Sequence, residues 1–156
     1  MKKRLIHSLV LAALMLVACQ CMAGISTQNL RCEMLENPHG IDVLHPRLSW
    51  EITGDARGIR QTAYEVIVAS SPAKLAANVG DLWDSKRVNS DRSIMVNYAG
   101  KPLTSRATCY WKVKIWTNKG ESAWSQPASW TEGLLNPTDW KAKWIGYDQG
   151  FPWDSV

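Results

Sequence analysis

The chain is poor in phenylalanine, with one residue against nine tryptophans, and it carries three histidines in 156 residues. It lacks a Gly-rich phosphate loop, and no serine or cysteine sits in a recognisable nucleophile motif, so the usual signatures of nucleotide binding and covalent catalysis are missing. It has no internal repeat and no long helical pattern, which leaves short strands as the building material. Its one extended apolar run, Leu5–Ala18, is interrupted by His7 and Ser8 and is too short to span a bilayer well.

That run follows Lys2, Lys3 and Arg4, and the combination reads as the basic and apolar regions of an export signal. Cys21-Met22-Ala23 suits cleavage before Gly24, so residues 1–23 are expected to be a signal peptide and the product periplasmic or extracellular. Leu16-Val17-Ala18-Cys19 also resembles a bacterial lipobox, which would leave the protein lipid-anchored through Cys19; the soluble route is preferred. No transmembrane segment is expected after cleavage.

Charge of one sign is scarce once the leader is set aside. The formal charge of +4 includes Lys2, Lys3 and Arg4, and without them 15 basic residues face 14 acidic ones. Nothing then argues for nucleic acid or an anionic surface as partner. Cysteine falls from four to two, Cys32 and Cys109, too far apart in sequence for a pairing to be judged.

What the chain does have is strand period. Cys109, Trp111, Val113 and Ile115 recur at every second residue, with Tyr110, Lys112, Lys114 and Trp116 on the other face. Asn118-Lys119-Gly120 then turns the chain, with a short extended piece over residues 121–125. Leu48, Trp50 and Ile52 alternate inward against Ser49, Glu51 and Thr53 outward. In residues 61–70, Tyr64, Val66 and Val68 share a face while Ile67 and Ala69 make the opposite face apolar too, which marks a central or covered strand. Ser71-Pro72 opens a short helical turn over residues 73–77, with Ser71 as cap. Further strands are expected within 26–35, over 82–88, 92–98 and 128–132, and the stretch 36–42 reads as an ordered loop of turn formers. About seven short strands give an all-β fold, an antiparallel β-sandwich.

Leu103, Thr104, Cys109, Trp111, Val113, Ile115, Gly120 and Ser122 resemble the late strands of fibronectin type III domains, an immunoglobulin-like sandwich in which Trp50 would be the core tryptophan. Cys109 stands where that family usually places its corner tyrosine, so the corner hydrogen bond is not implied here. Cys109 is expected to act as a small buried hydrophobe and not as half of a bridge.

Candidate chemistry is thin. His39 and His45 flank Asp42, but a loop pair without a third strong ligand reads as surface histidine. Carboxylates such as Glu51 and Glu65 fall on outward strand positions, as solvated faces do. No catalytic, cofactor-binding or metal-binding residue is therefore assigned, and no cofactor is expected.

The segments Asn29-Leu30-Arg31-Cys32-Glu33, Glu36-Asn37-Pro38-His39-Gly40-Ile41-Asp42, Pro46-Arg47-Leu48-Ser49-Trp50, Tyr110-Trp111-Lys112-Val113 and 139–146 together resemble the N-terminal module of bacterial α-L-rhamnosidases of glycoside hydrolase family 78. That resemblance implies a non-catalytic accessory module of an enzyme removing terminal L-rhamnose. It implies further β-domains as partners and a helical barrel carrying the catalytic carboxylates, all beyond this chain, which would then be a truncated enzyme. The division implied is a sandwich over 24–135, then a linker and the start of a following β-domain over 136–156, with Trp140, Ala142 and Trp144 on one face of a last strand. Two other readings stay open: a free carbohydrate-binding module with Trp116 or Trp124 as its sugar platform, and a generic cell-surface interaction module.

Overall fold

The computed structural model describes residues 24–143. The expected signal segment, with Cys19, lies outside the described residues, as do Trp144 and Ile145 of the expected last strand. Eight strands follow in order: β1 Ser26–Cys32, β2 Arg47–Thr53, β3 Gln61–Ala69, β4 Trp83–Asp84, β5 Val96–Asn97, β6 Thr108–Thr117, β7 Gly120–Glu121 and β8 Ala128–Thr131. One short helix, α1 Pro72–Ala76, follows β3, and a 3-10 turn covers Pro137–Asp139.

The strands form two antiparallel sheets, one ordered β1-β2-β5 and the other β4-β3-β6-β7, with β8 also pairing β6. The β3–β6 ladder sets Tyr64 opposite Ile115, Val66 opposite Val113 and Val68 opposite Trp111. Because side chains alternate along a strand, that register sends these six to one face together. They meet Leu48 and Trp50 from the other sheet, with Cys109, Trp130, Val96 and Tyr98, in one buried cluster. Trp50, Trp111 and Trp130 are among the largest fully buried side chains, so the few aromatics do build the core.

The second apolar face of β3 is covered as its sequence requires. Ile67 and Ala69 pack under Leu75 of α1 in a smaller cluster with Tyr110 and Trp124. The helix starts at Ser71, whose hydroxyl accepts the Lys74 N–H at 3.3 Å, with Pro72 at the first position. Its underside is held by Lys74, whose amine reaches Asp81 at 2.7 Å and the Ser70 hydroxyl at 2.9 Å.

The residues that carried the family resemblance have structural work. Arg47 donates its backbone and side-chain N–H groups to the Glu33 carboxylate at 2.5 to 3.1 Å, clamping the β1 end to β2. These bonds hold the Glu33 carboxyl below its ordinary range. The expected ordered loop lies along β8: Asn37 Oδ1 accepts the Ser129 N–H at 2.8 Å, Pro38 carbonyl accepts Thr131 N–H at 3.0 Å, and Ile41 bridges Glu132. Gly133 is needed there, because a Cβ at that position would lie 2.9 Å from the Gly40 carbonyl oxygen.

Three expectations change. Ser49 is buried, not outward, because the chain around Met95 folds over it and the Met95 N–H donates to its hydroxyl at 3.0 Å. The stretches 82–88 and 92–98 pair over only two residues each. Lys86 and Met95 adopt positive φ, 53° and 55°, which breaks both strands, and Val88 returns to bridge Tyr64. The third lies after β8. Ser105 Oγ accepts the Leu135 N–H at 2.8 Å and hydrogen-bonds Asp139, so the turn is tied to the β-domain, while Trp140 to Lys143 form no strand.

Cys32 and Cys109 are both free and buried in the main core. Burial pushes each thiol up to about 12, so neither is a ready nucleophile at neutral pH. Loss of a native disulfide costs about 2–5 kcal/mol. Reductant is therefore expected to leave the melting temperature where it was; a fall of many degrees would reveal a bridge. The corner bond that a tyrosine at position 109 would have made has a counterpart in Tyr98, whose hydroxyl lies 2.7 Å from the Lys101 carbonyl and 3.2 Å from that of Leu82.

Candidate functional site

The outer face of β6 and the segments beside it build a concavity. Tyr110 and Lys112 form its floor, because even positions of β6 point away from the core. Pro72 and Leu75 of α1 make one wall, and Trp124 and Pro127, in the link from β7 to β8, make the other. The cleft has a volume of about 570 Å³.

Lys112 is the unexpected feature. The sequence period places it on the solvent side of β6, yet it is only 8% exposed, since α1 and Trp124 close over its stem. Its amine donates to Asn78 Oδ1 at 2.6 Å and stands 5.1 Å from the centre of the Trp124 ring. Asn78 is in place because it ends the helix in the left-handed region, at φ 58°, a conformation asparagine tolerates. Burial pushes the Lys112 amine below its ordinary value. Among the described residues it has no ion pair.

The two tryptophans named as sugar platforms part company. Trp116 is covered, with the Arg87 guanidinium 4.6 Å and the Lys114 ammonium 5.1 Å from its ring centre. Trp124 is half-buried and lines the cleft. His39 and His45 are both exposed, and no group of three metal-capable side chains occurs among the described residues. Glu51 is exposed, and its carboxylate accepts from the Asn29 amide at 2.7 Å across the bulge in β1.

One carboxyl escaped sequence reasoning. Glu132 is 3% exposed; its Oε1 accepts the Trp130 indole N–H at 2.8 Å, while its Oε2 is buried without a partner. Burial raises its pKa, the Trp130 bond offsets part of that, and the Asp42 charge adds to the rise. Glycoside hydrolysis uses two carboxyls flanking the bond. Among the described residues no carboxylate lines the cleft, and Glu132 belongs to the interior. Glu132 follows β8 two residues after the buried Trp130, so strand alternation gives it the inward side.

Comparison with known proteins gives a consistent result. Residues 27–136 match the family described as Rha78A-like, N-terminal immunoglobulin domain. An α-L-rhamnosidase of Streptomyces avermitilis is 44% identical over 125 residues, covering 80% of this chain and 12% of that protein. One from Formosa agariphila is 45% identical over 115 residues, covering 73% and 12%. The crystal structure of the Streptomyces avermitilis enzyme complexed with L-rhamnose superposes with a TM-score of 0.74, at 44% identity, over 78% of this chain and 12% of that one. The chain thus spans about an eighth of the length of these relatives.

Proposed function

The chain belongs to the Rha78A-like N-terminal immunoglobulin-domain family, and from that we propose that it serves as the non-catalytic accessory module of an exported α-L-rhamnosidase. The observation that carries this reading is coverage: the match takes in nearly all of the sandwich, yet only 12% of the length of each relative. The hydrolytic machinery then belongs to the remaining domains, which are this module's partners, and the enzyme they complete removes terminal α-L-rhamnose from glycans or glycosides. The cleft supports the division of labour, since among the described residues that line it the one charged side chain is a lysine, and the chemistry needs paired carboxyls.

The purified chain is expected not to turn over an aryl α-L-rhamnoside. Activity that follows the chain through purification, and disappears when one of its own Asp or Glu residues is replaced, would overturn the accessory reading.

Export rests on the basic residues at 2–4 and the apolar run Leu5–Ala18. Mass spectrometry of the protein from its native host is expected to find an N-terminus at Gly24, or a lipidated Cys19. Secreted material that begins at an intact Met1 would contradict both routes.

A further inference from the structure

We propose that the cleft between α1 and the β7–β8 link binds a hexuronic acid residue of a glycan, with the sugar's apolar face on Trp124 and its carboxylate on Lys112. Three observations meet at this place. The first is charge: Lys112 is a nearly buried cation that meets one amide oxygen and one aromatic ring, neither of which carries a full negative charge. A buried ammonium is costly without a counter-charge, so an occupant that brings a carboxylate is favoured over a neutral one.

The second observation is shape. A volume of about 570 Å³ falls within the range of small-ligand sites, and the apolar lining with a few polar groups is their usual make-up. Tyr110 and Trp124 offer flat faces, against which the C–H face of a pyranose ring packs. The third is spacing. The amine lies over the Trp124 ring, 5.1 Å from its centre, so a sugar seated against the indole beside it brings a carboxylate at C5 to the amine. Ser129, at the margin of the cleft, remains for the ring hydroxyls.

An acidic peptide would also answer the charge of Lys112. The choice of a sugar rests on the flat rings and on the accessory reading above, in which the chain serves a glycan-directed enzyme. The two proposals fail separately in the test. The full chain, labelled with nitrogen-15, is titrated with methyl β-D-glucuronide, methyl β-D-glucoside and a short Asp-rich peptide, following the Trp124 indole N–H and the amides of Tyr110 and Lys112.

The glucuronide is expected to shift these signals and to bind at least about tenfold tighter than the glucoside, a preference that added salt weakens. Lys112→Met is expected to erase the preference, and Trp124→Ala to remove binding of both sugars, with the dispersion of the remaining amides showing that each variant is folded. Should either variant unfold, the salt dependence in the native chain stands in its place. Equal binding of the two sugars, or no shift at the Trp124 indole up to the solubility limit of the glucuronide, would overturn the proposal. Binding of the peptide alone would overturn it too and leave the accessory reading standing.

Discussion

Trp50→Ala is expected to lower the melting temperature by more than about 10 °C. Trp50 is 2% exposed and crosses from one sheet to the other, its ring edge-on to Tyr64 with 5.2 Å between centroids. Truncating a buried tryptophan removes its transfer free energy and leaves a cavity, together about 3–5 kcal/mol. The indole N–H also donates to Gln61 Oε1 at 2.9 Å, while the Gln61 amide nitrogen donates to the Ser90 and Arg92 carbonyls at 3.1 and 2.8 Å. That relay holds the 89–93 connection against β2 and β3, and removing its first member leaves the buried Gln61 oxygen without a donor. Trp50→Phe keeps an aromatic ring against Tyr64 and loses the relay, so its melting temperature should fall between the native and alanine values. Thermal melts of the three proteins check this, and an alanine variant within a few degrees of native would refute the assigned role.

Glu132→Gln is expected to stabilise the domain at alkaline pH and to change little in acid. The folded-state pKa of Glu132 lies above its ordinary value of 4.5, because burial disfavours the charged form. The folded state therefore holds its proton more tightly than the unfolded chain. Its favourable contribution is fully present below 4.5 and is lost as pH rises through the folded value. Above its folded-state value the native chain carries a buried carboxylate with one unpartnered oxygen, a burden of about 1–3 kcal/mol. Glutamine keeps the acceptor for the Trp130 indole and removes the charge. Glu33, Asp81 and Asp139 shift the opposite way and lose stability in acid, but they are common to both proteins and cancel in the difference. Melting temperatures of the pair, followed upward from about pH 4, should separate as pH rises above the ordinary carboxyl value. Parallel curves across the range would show that Glu132 is neutral or solvated throughout.

The legible parts of this protein are those where a local period speaks for itself. β2 and β6 alternate in sequence, and of their inward residues Leu48, Trp50, Cys109, Trp111, Val113 and Ile115 are buried while Ile52 is half-buried against the same core. β3 is apolar on both faces, and both are covered, one by the opposite sheet and one by α1. The helix itself was announced by Ser71-Pro72, since a capping hydroxyl followed by a proline at the first helical position is a local signal. The stretches 82–88 and 92–98 were less legible, because Lys86 and Met95 take positive φ without being glycine, and composition does not show that in advance.

The sequence by itself determined the two-sheet sandwich, its tryptophan core and the placing of its turns, because alternation and turn chemistry are carried by neighbouring residues. It also determined the family, through segments such as Glu36–Asp42 whose purpose is to stitch a loop to β8. Only the tertiary structure decided which polar side chains went inside. Ser49 and Lys112 sit at positions that a strand's period gives to solvent, and each was buried by a segment distant in the chain: residues around Met95 over Ser49, and α1 and Trp124 over Lys112. Whether an outward face is wet depends on what lies across it, and that is a property of the folded arrangement and not of the strand.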